Sequence, residues 1–246
     1  MLSLKWFDLL SVNMKPNPSW QPILKAGQLV ESRLVKALLD GTFPINSNLP
    51  AERELATLLG VTRPTLREAL QRLERDGFIE IQHGKPTRVR DFWIEGNLGV
   101  TVALAQYQDP LPKNFIVDLL AVRILLAPTY TSTAVSKAPQ PLASFLDSRL
   151  SLPESAESYA TYDWELHRQL TIYAENTFFI HFMNSVRGLY QCVGTSYFNH
   201  AQTRKHSRDF YRQLQACASE GDAARAGTLA KRVMQESASL WEKIST

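Results

Sequence analysis

Three sets of residues in this 246-residue chain have the types and spacing to do chemistry. The first is basic: Arg63, Thr65 and Arg67 lie within GVTRPTLREALQRLER, and Lys85 follows beside Gly84. A guanidinium can pair bidentately with a guanine edge, and a lysine next to glycine brings both charge and bare backbone to a phosphate. The second set is Asp163-x-x-x-His167, a carboxylate and an imidazole on one helix face at a spacing a metal site can use. The third is polar residues scattered among apolar helical ones: Arg123, Tyr197, Tyr211, and Ser237 with Trp241 one turn later. These could grip the polar end of a ligand, or could satisfy one another in a core, with Asp118 as a near carboxylate for Arg123. No Gly-rich phosphate loop, P-loop or nucleophile elbow occurs. An enzyme is therefore not expected, since a metal-dependent one would need more ligands and an adjacent acid or base.

The elements that must hold the basic set read as a winged helix-turn-helix. Residues 26–41 give a first helix with Val30, Leu34, Ala37 and Leu38 on one face, ended by Gly41 and Pro44. Leu49-Pro50 opens a second, where Glu52 and Glu54 suit the positive helix end; Leu55, Leu58 and Leu59 recur at helical spacing before Gly60. Thr62 can cap a third, with Pro64 in its first turn and Leu66, Ala69, Leu70 and Leu73 as its buried stripe. Arg63, Thr65 and Arg67 then fall near the N-terminal end of the other face, the part of a recognition helix that meets base edges. After Gly77, residues 78–82 and 87–90 alternate as a hairpin around His83-Gly84-Lys85-Pro86. A basic helix face by itself also suits solvent, a membrane or a partner. Basic residues on both the third helix and the wing point to DNA.

Residues 91–97, DFWIEGN, read as a linker in which Phe92, Trp93 and Ile94 pack against one domain and stiffen the hinge. Beyond it the spacing predicts helices over 98–107, 112–136, 139–150, 154–174, 177–198, 201–219 and 222–244, an all-α antiparallel bundle of six or seven helices. The fold class is thus mainly α: an N-terminal winged helix-turn-helix over 19–90, then a helical domain over 98–246 for ligand binding and dimerisation. Residues 1–18 are expected to form a disordered arm, and Met14 is a second candidate start.

Composition narrows the function classes. The chain is 44% hydrophobic and 21% charged with a formal net charge of +3. Residues 61–90 hold seven Lys and Arg against four Asp and Glu, which accounts for the whole excess. That balance fits a sequence reader joined to a neutral domain better than a nonspecific nucleic-acid coat. Two distant cysteines, Cys192 and Cys217, suggest a reducing cytosol, and no apolar run is expected to reach the roughly 18 residues of a membrane span. The expected location is cytoplasmic.

The segments LPAERELA, GVTRPTLREALQRLERDGFI and IQHGKPT resemble the GntR family of bacterial transcription regulators, from about Ala26 to Trp93. IQHGKPT followed by Phe92-Trp93, with looser matches in LLAVR, FYRQL, SEGD and ESASLW, is similar to that family's fatty-acid-responsive members. The resemblance implies operator contacts from Arg53, Thr62, Arg63, Thr65, Arg67, His83, Gly84 and Lys85. It also implies a homodimer, as two recognition helices on a twofold axis match a palindromic site, and long-chain acyl-coenzyme A as effector with no cofactor. On that analogy Arg123 and Trp241 serve the coenzyme A part, and Tyr197, Tyr211 and Ser237 line the entry of the acyl thioester. Pro64 stands where those members have a hydroxyl residue, and Met234 where they have glycine on the last helix. Other GntR relatives hold a metal through the pair at Asp163 and His167 plus two later histidines. Those later places carry Tyr211 and Val233, and His181, His200 and His206 lie elsewhere. The alternative reading is therefore a GntR regulator sensing a metal-bound organic acid.

Overall fold

The computed structural model describes residues 26–107 and 114–244. The arm over 1–18, residues 19–25, and the expected helix start at 112 lie outside the described residues.

The reader domain forms as its periodicity requires. Helix α1 (Ala26–Leu39) packs on α3 (Arg63–Asp76), and α2 (Glu52–Leu59) precedes α3 across a tight turn. Gly60 ends α2 at φ 67°, in the left-handed region that a side chain rarely adopts. Thr62 caps α3, its hydroxyl accepting from the Thr65 N–H at 3.4 Å. Leu66, Ala69, Leu70 and Leu73 are all buried; full burial of a Leu contributes about 2 kcal/mol. Strands β1 (Ile79–Glu80) and β2 (Arg88–Val89) pair antiparallel, Ile79 opposite Val89 and Glu80 opposite Arg88, and Asn48 bridges to Arg88 on the outer side. The ladder is shorter than the alternation predicts. At Ile81 the backbone N–H leaves it to donate to the Glu74 carboxylate at 2.9 Å, and the Lys85 N–H closes the tip onto the Gln82 carbonyl.

The hinge differs from expectation in detail. Phe92 is buried with its ring 5.2 Å from that of Phe78, but Trp93 is 55% and Ile94 82% exposed. One of the three aromatic or branched side chains stiffens the hinge; polar clasps do the rest. Glu95 accepts from Arg88 at 3.1 Å and from the Asp91 N–H at 3.1 Å. Asn97 donates through Nδ2 to the Arg75 carbonyl at the end of α3 (2.7 Å) and accepts at Oδ1 from the Gly99 N–H (2.7 Å). Gly99 opens α4 (Leu98–Tyr107), and a Cβ there would lie 2.6 Å from the Asp76 side chain. Val100, Ala103 and Leu104 of α4 join the reader's core, whereas Ala105 packs with the helices beyond.

Those helices are α5 (Phe115–Lys137), α6 (Pro139–Asp147), α7 (Ala156–Tyr173), α8 (Thr177–Ser185), α9 (Arg187–Phe198), α10 (Ala201–Glu220) and α11 (Ala223–Ile244), with a 3-10 turn over Ser148–Ser151. The single helix expected over 177–198 is two, broken at Val186, so eight helices follow the hinge among the described residues rather than six or seven. No proline marks the break, although Gly188 follows two residues on, in the first turn of α9. Val186 is buried beside Met183, Leu189 and Trp164, so tertiary packing holds the break. Helix α5 lies along α11 over an extended contact, made close by Gly227, where a Cβ would sit 3.1 Å from that of Ser132. By length and composition α5 is long and apolar enough to cross a membrane, whereas no apolar run of that length is expected from the sequence. It carries Asp118 and Arg123 and packs against α7 and α11, with Val117, Val122 and Leu125 exposed on its outer side.

Candidate functional site

Two sites take shape, one at each end of the chain. On the reader, Arg53, Thr62, Arg63, Arg67, His83, Gly84 and Lys85 are all exposed and Thr65 is half-buried. Thr62 and Thr65 share a hydrogen bond between hydroxyls at 2.9 Å, so both belong to the cap of α3. Gly84 turns the wing tip at φ 74°. Arg88 is committed elsewhere, to Glu80 (3.1 Å), Asn46 (2.9 Å) and Glu95, which ties the wing to the hinge. Glu52 lies in the first turn of α2 as expected, and it also accepts from Arg67 Nε at 2.7 Å, with Arg63 Nη2 3.8 Å away.

In the bundle, α5, α7, α9, α10 and α11 surround a cleft with about 590 Å³ of empty space, part of it open to solvent. Arg123, Tyr197, Ser237 and Trp241 meet on its wall, with Met234 among the apolar residues that fill the rest. The rings of Tyr197 and Trp241 stack at 6.4 Å. Burial raises the Tyr197 phenol; the neighbouring Ser237 hydroxyl pulls the other way without reaching hydrogen-bond geometry, which leaves the Tyr197 oxygen buried and unpartnered. A second, almost wholly apolar hollow of about 420 Å³ adjoins the first, sharing Leu119, Arg123 and Tyr190 and bounded by Val122, Leu126, Phe182 and Met183.

Tyr211 does not line the cleft. It is fully buried behind it, donating to Asp163 Oδ1 at 2.8 Å. Asp163 also accepts from Tyr190 at 2.5 Å, and its ion pair with Arg123 at 3.5 Å replaces the pairing with Asp118 that proximity in sequence suggests. Burial disfavours the carboxylate, but His167, Arg123 and the two tyrosines together hold it below the usual range. Arg123 keeps 22% of its side chain exposed and lies 4.9 Å over the Tyr190 ring. Burial works against its charge, and the fields of Tyr190 and Asp163 more than offset this.

The protonation of His167 follows from its neighbours. Burial, with Asp163 opposing and Arg123 assisting, pushes its pKa down to about 4, so it is neutral near pH 7. Its Nε2 lies 3.1 Å from Arg123 Nη2, which can only donate, so Nε2 accepts. Nδ1 therefore carries the proton and donates to the Tyr130 hydroxyl at 2.7 Å. Arg123 thus stands between the two side chains that could have begun a metal site, supplying the cation itself. Among the described residues no group of three or more His, Cys, Asp or Glu could hold a metal ion. His206 pairs with Glu236 at 3.8 Å, and His181 and His200 are exposed. Neither Tyr130 nor Tyr190 could be assigned to this network from sequence, since no local spacing links residues on three separate helices.

A winged helix followed by a helical domain with a part-polar cleft defines a transcription regulator of the kind that reads DNA with one domain and an effector with the other. The chain belongs to the GntR family of bacterial regulatory proteins, matched over residues 26–89, in the group carrying the FadR C-terminal domain, matched over residues 90–246. A fatty acid metabolism regulator protein of Shewanella amazonensis is 38% identical over 217 residues, 87% of this chain and 89% of its own. Those of Pectobacterium atrosepticum and Haemophilus influenzae are each 36% identical, over 88% and 90% of this chain and 90% and 93% of theirs. A solved structure described as "Lar controls the expression of the Listeria monocytogenes agr system and mediates virulence" superposes with a TM-score of 0.60 at 18% identity, covering 91% of this chain and 99% of that one. That likeness shows the fold.

Proposed function

We propose that this protein is a cytosolic, homodimeric regulator of fatty acid metabolism that releases its operator when long-chain acyl-coenzyme A enters the bundle cleft. The observation that carries the reading is the cleft itself: a cationic and hydroxyl-bearing wall of Arg123, Tyr197 and Ser237 in a mainly apolar cleft continuous with a second, apolar hollow. An acyl chain gains affinity by leaving water, and the polar wall orients its head. The division into a reader over 19–90, a hinge over 91–97 and a ligand domain over 98–246 belongs to the same proposal. Base reading falls to Arg63, Thr65 and Arg67, with phosphate contacts from Arg53, Thr62 and the wing residues His83, Gly84 and Lys85. Tyr211 acts on the ligand through Asp163 and Arg123 rather than by touching it. For dimerisation, Val117, Ala121 and Leu125 recur every four residues on the outer side of α5, and Leu125 is 74% exposed; burying that stripe against its copy would remove apolar surface from water.

The ligand signal has a contiguous route. Helix α9 contributes Tyr190, Gly194 and Tyr197 to the cleft and packs on α4, where a Cβ at Gly188 would lie 3.1 Å from Val102 and Cys192 donates to the Ala105 carbonyl. Helix α4 in turn is stapled to the end of α3 by Asn97. A ligand that prefers one placement of α9 must weaken DNA binding by the same coupling energy with which DNA weakens the ligand. Native mass spectrometry tests the effector class. Purified protein should retain palmitoyl-coenzyme A as a dimer with one ligand per subunit. Retention of Zn, Ni or Mn with an organic acid instead would replace this reading with that of a metal-bound-acid sensor.

A further inference from the structure

We propose that Glu52 is a positioning residue for DNA specificity, holding Arg67 so that its free edge is presented to a base while the same carboxylate repels the phosphates of unselected DNA. The inference rests on the reading of α3 as the recognition helix. Glu52 is the first residue of α2 and reaches across the helix-turn-helix to α3, where Arg63 and Arg67 lie four residues apart on one face. Its Oε2 accepts from Arg67 Nε at 2.7 Å and lies 3.8 Å from Arg63 Nη2. Both arginine side chains remain more than half exposed, at 57% and 58%, against 33% for Glu52. An ion pair so placed adds little to stability. Its geometry suits another purpose. A guanidinium has five donors in a planar fork, and the bond to Glu52 uses only the Nε–H. The edge formed by the two Nη groups, which is the one that matches guanine O6 and N7, remains available. An arginine free to rotate would spend its contacts on whichever phosphate lay near, and ordering it only on binding would cost side-chain entropy. The carboxylate removes that freedom beforehand. It also places one negative charge at the groove face, a penalty that a guanine contact offsets and a random site does not.

The test uses the full-length protein, a duplex selected from a random library by the wild type, and a random duplex of equal length. Competition binding across a salt series gives the specificity ratio and the salt slope for each. Glu52→Gln keeps a neutral acceptor at this position. It should bind the random duplex more tightly, steepen the random-duplex salt slope by up to about one, and lower the specificity ratio about tenfold, the size of one good base contact. In an Arg67→Ala background the same substitution should leave the ratio unchanged, because the effect passes through Arg67. Thermal unfolding of both variants checks that the fold persists. An unchanged ratio in Glu52→Gln, or equal tightening of both duplexes, overturns the proposal, as does an equal loss of ratio with and without Arg67. Failure of the wild type to select any duplex would instead refute the reading of α3 on which the proposal stands.

Discussion

His167 sits at the centre of the bundle with its side chain fully buried and its pKa pushed down to about 4, against 6.5 for an unhindered imidazole. In the unfolded chain it takes up a proton as pH falls through 6.5, whereas in the folded chain it resists until about pH 4. Unfolding therefore binds one more proton in that window, and stability must fall as the solution is acidified. Each pH step of one below 6.5 costs about 1.4 kcal/mol, and the full interval about 3 kcal/mol, a large share of a typical domain's stability. The perturbation that isolates this term is His167→Gln. An amide can still donate to Tyr130 and accept from Arg123, but it does not titrate. Denaturant unfolding followed by tyrosine and tryptophan fluorescence at pH 7, 6 and 5 should show the wild type losing about 2 kcal/mol more than the variant between pH 7 and 5. Asp163, whose carboxyl is held below the usual range, contributes only at lower pH. Parallel pH profiles for the two proteins would show that His167 is not the buried, neutral acceptor described.

Other expectations follow from the same contacts. Trp241→Ala removes the ring stacked on Tyr197 and should weaken acyl-coenzyme A binding at least tenfold while leaving operator affinity intact, measured by calorimetry and by fluorescence anisotropy on labelled DNA. Asn97→Ala leaves the end of α3 and the start of α4 without their shared partner. It should cost about 1 kcal/mol of stability and reduce the ligand's effect on DNA binding more than either binding event alone, which a thermodynamic cycle detects. Met234→Gly enlarges the cleft and should strengthen ligand binding at some expense in stability, read from paired calorimetric and thermal scans. Lys85→Ala should weaken selected and random duplexes alike and flatten the salt dependence by about one ion.

The reader domain was legible because its signals are local. The stripe Leu66, Ala69, Leu70 and Leu73, the cap at Thr62 and the stops at Gly60 and Gly77 lie within a few residues of what they control. The bundle's helices were legible for the same reason, apart from the break at Val186, where a buried residue beside Met183 and Leu189 rather than a proline stands between two helices. Side-chain pairings were not. Arg123 chooses Asp163, 40 residues away, over Asp118 five residues away, because α5 faces α7 and the buried carboxylate has more to gain from a cation. Tyr211 looked like a cleft residue from its place in FYRQL, yet α10 turns it toward Asp163. Trp93 and Ile94 are apolar but exposed, since the short hinge turns only Phe92 into the reader's core. Glu52 lies in the first turn of α2 as its position implied, but its reach to Arg67, 15 residues away, has no local signal.

The central claim is that the cleft and the reader are coupled through a fatty acyl thioester. Fluorescence anisotropy of the wild-type protein on its selected duplex, titrated separately with palmitoyl-coenzyme A, free palmitate, coenzyme A, and a divalent metal with a small carboxylate, tests it most directly. Palmitoyl-coenzyme A should release the duplex at micromolar concentration and none of the others should, because neither half of the ligand fills both the polar wall at Arg123 and the apolar space beside it. A complex that survives palmitoyl-coenzyme A well above micromolar, or that dissolves with the metal and carboxylate, would contradict it.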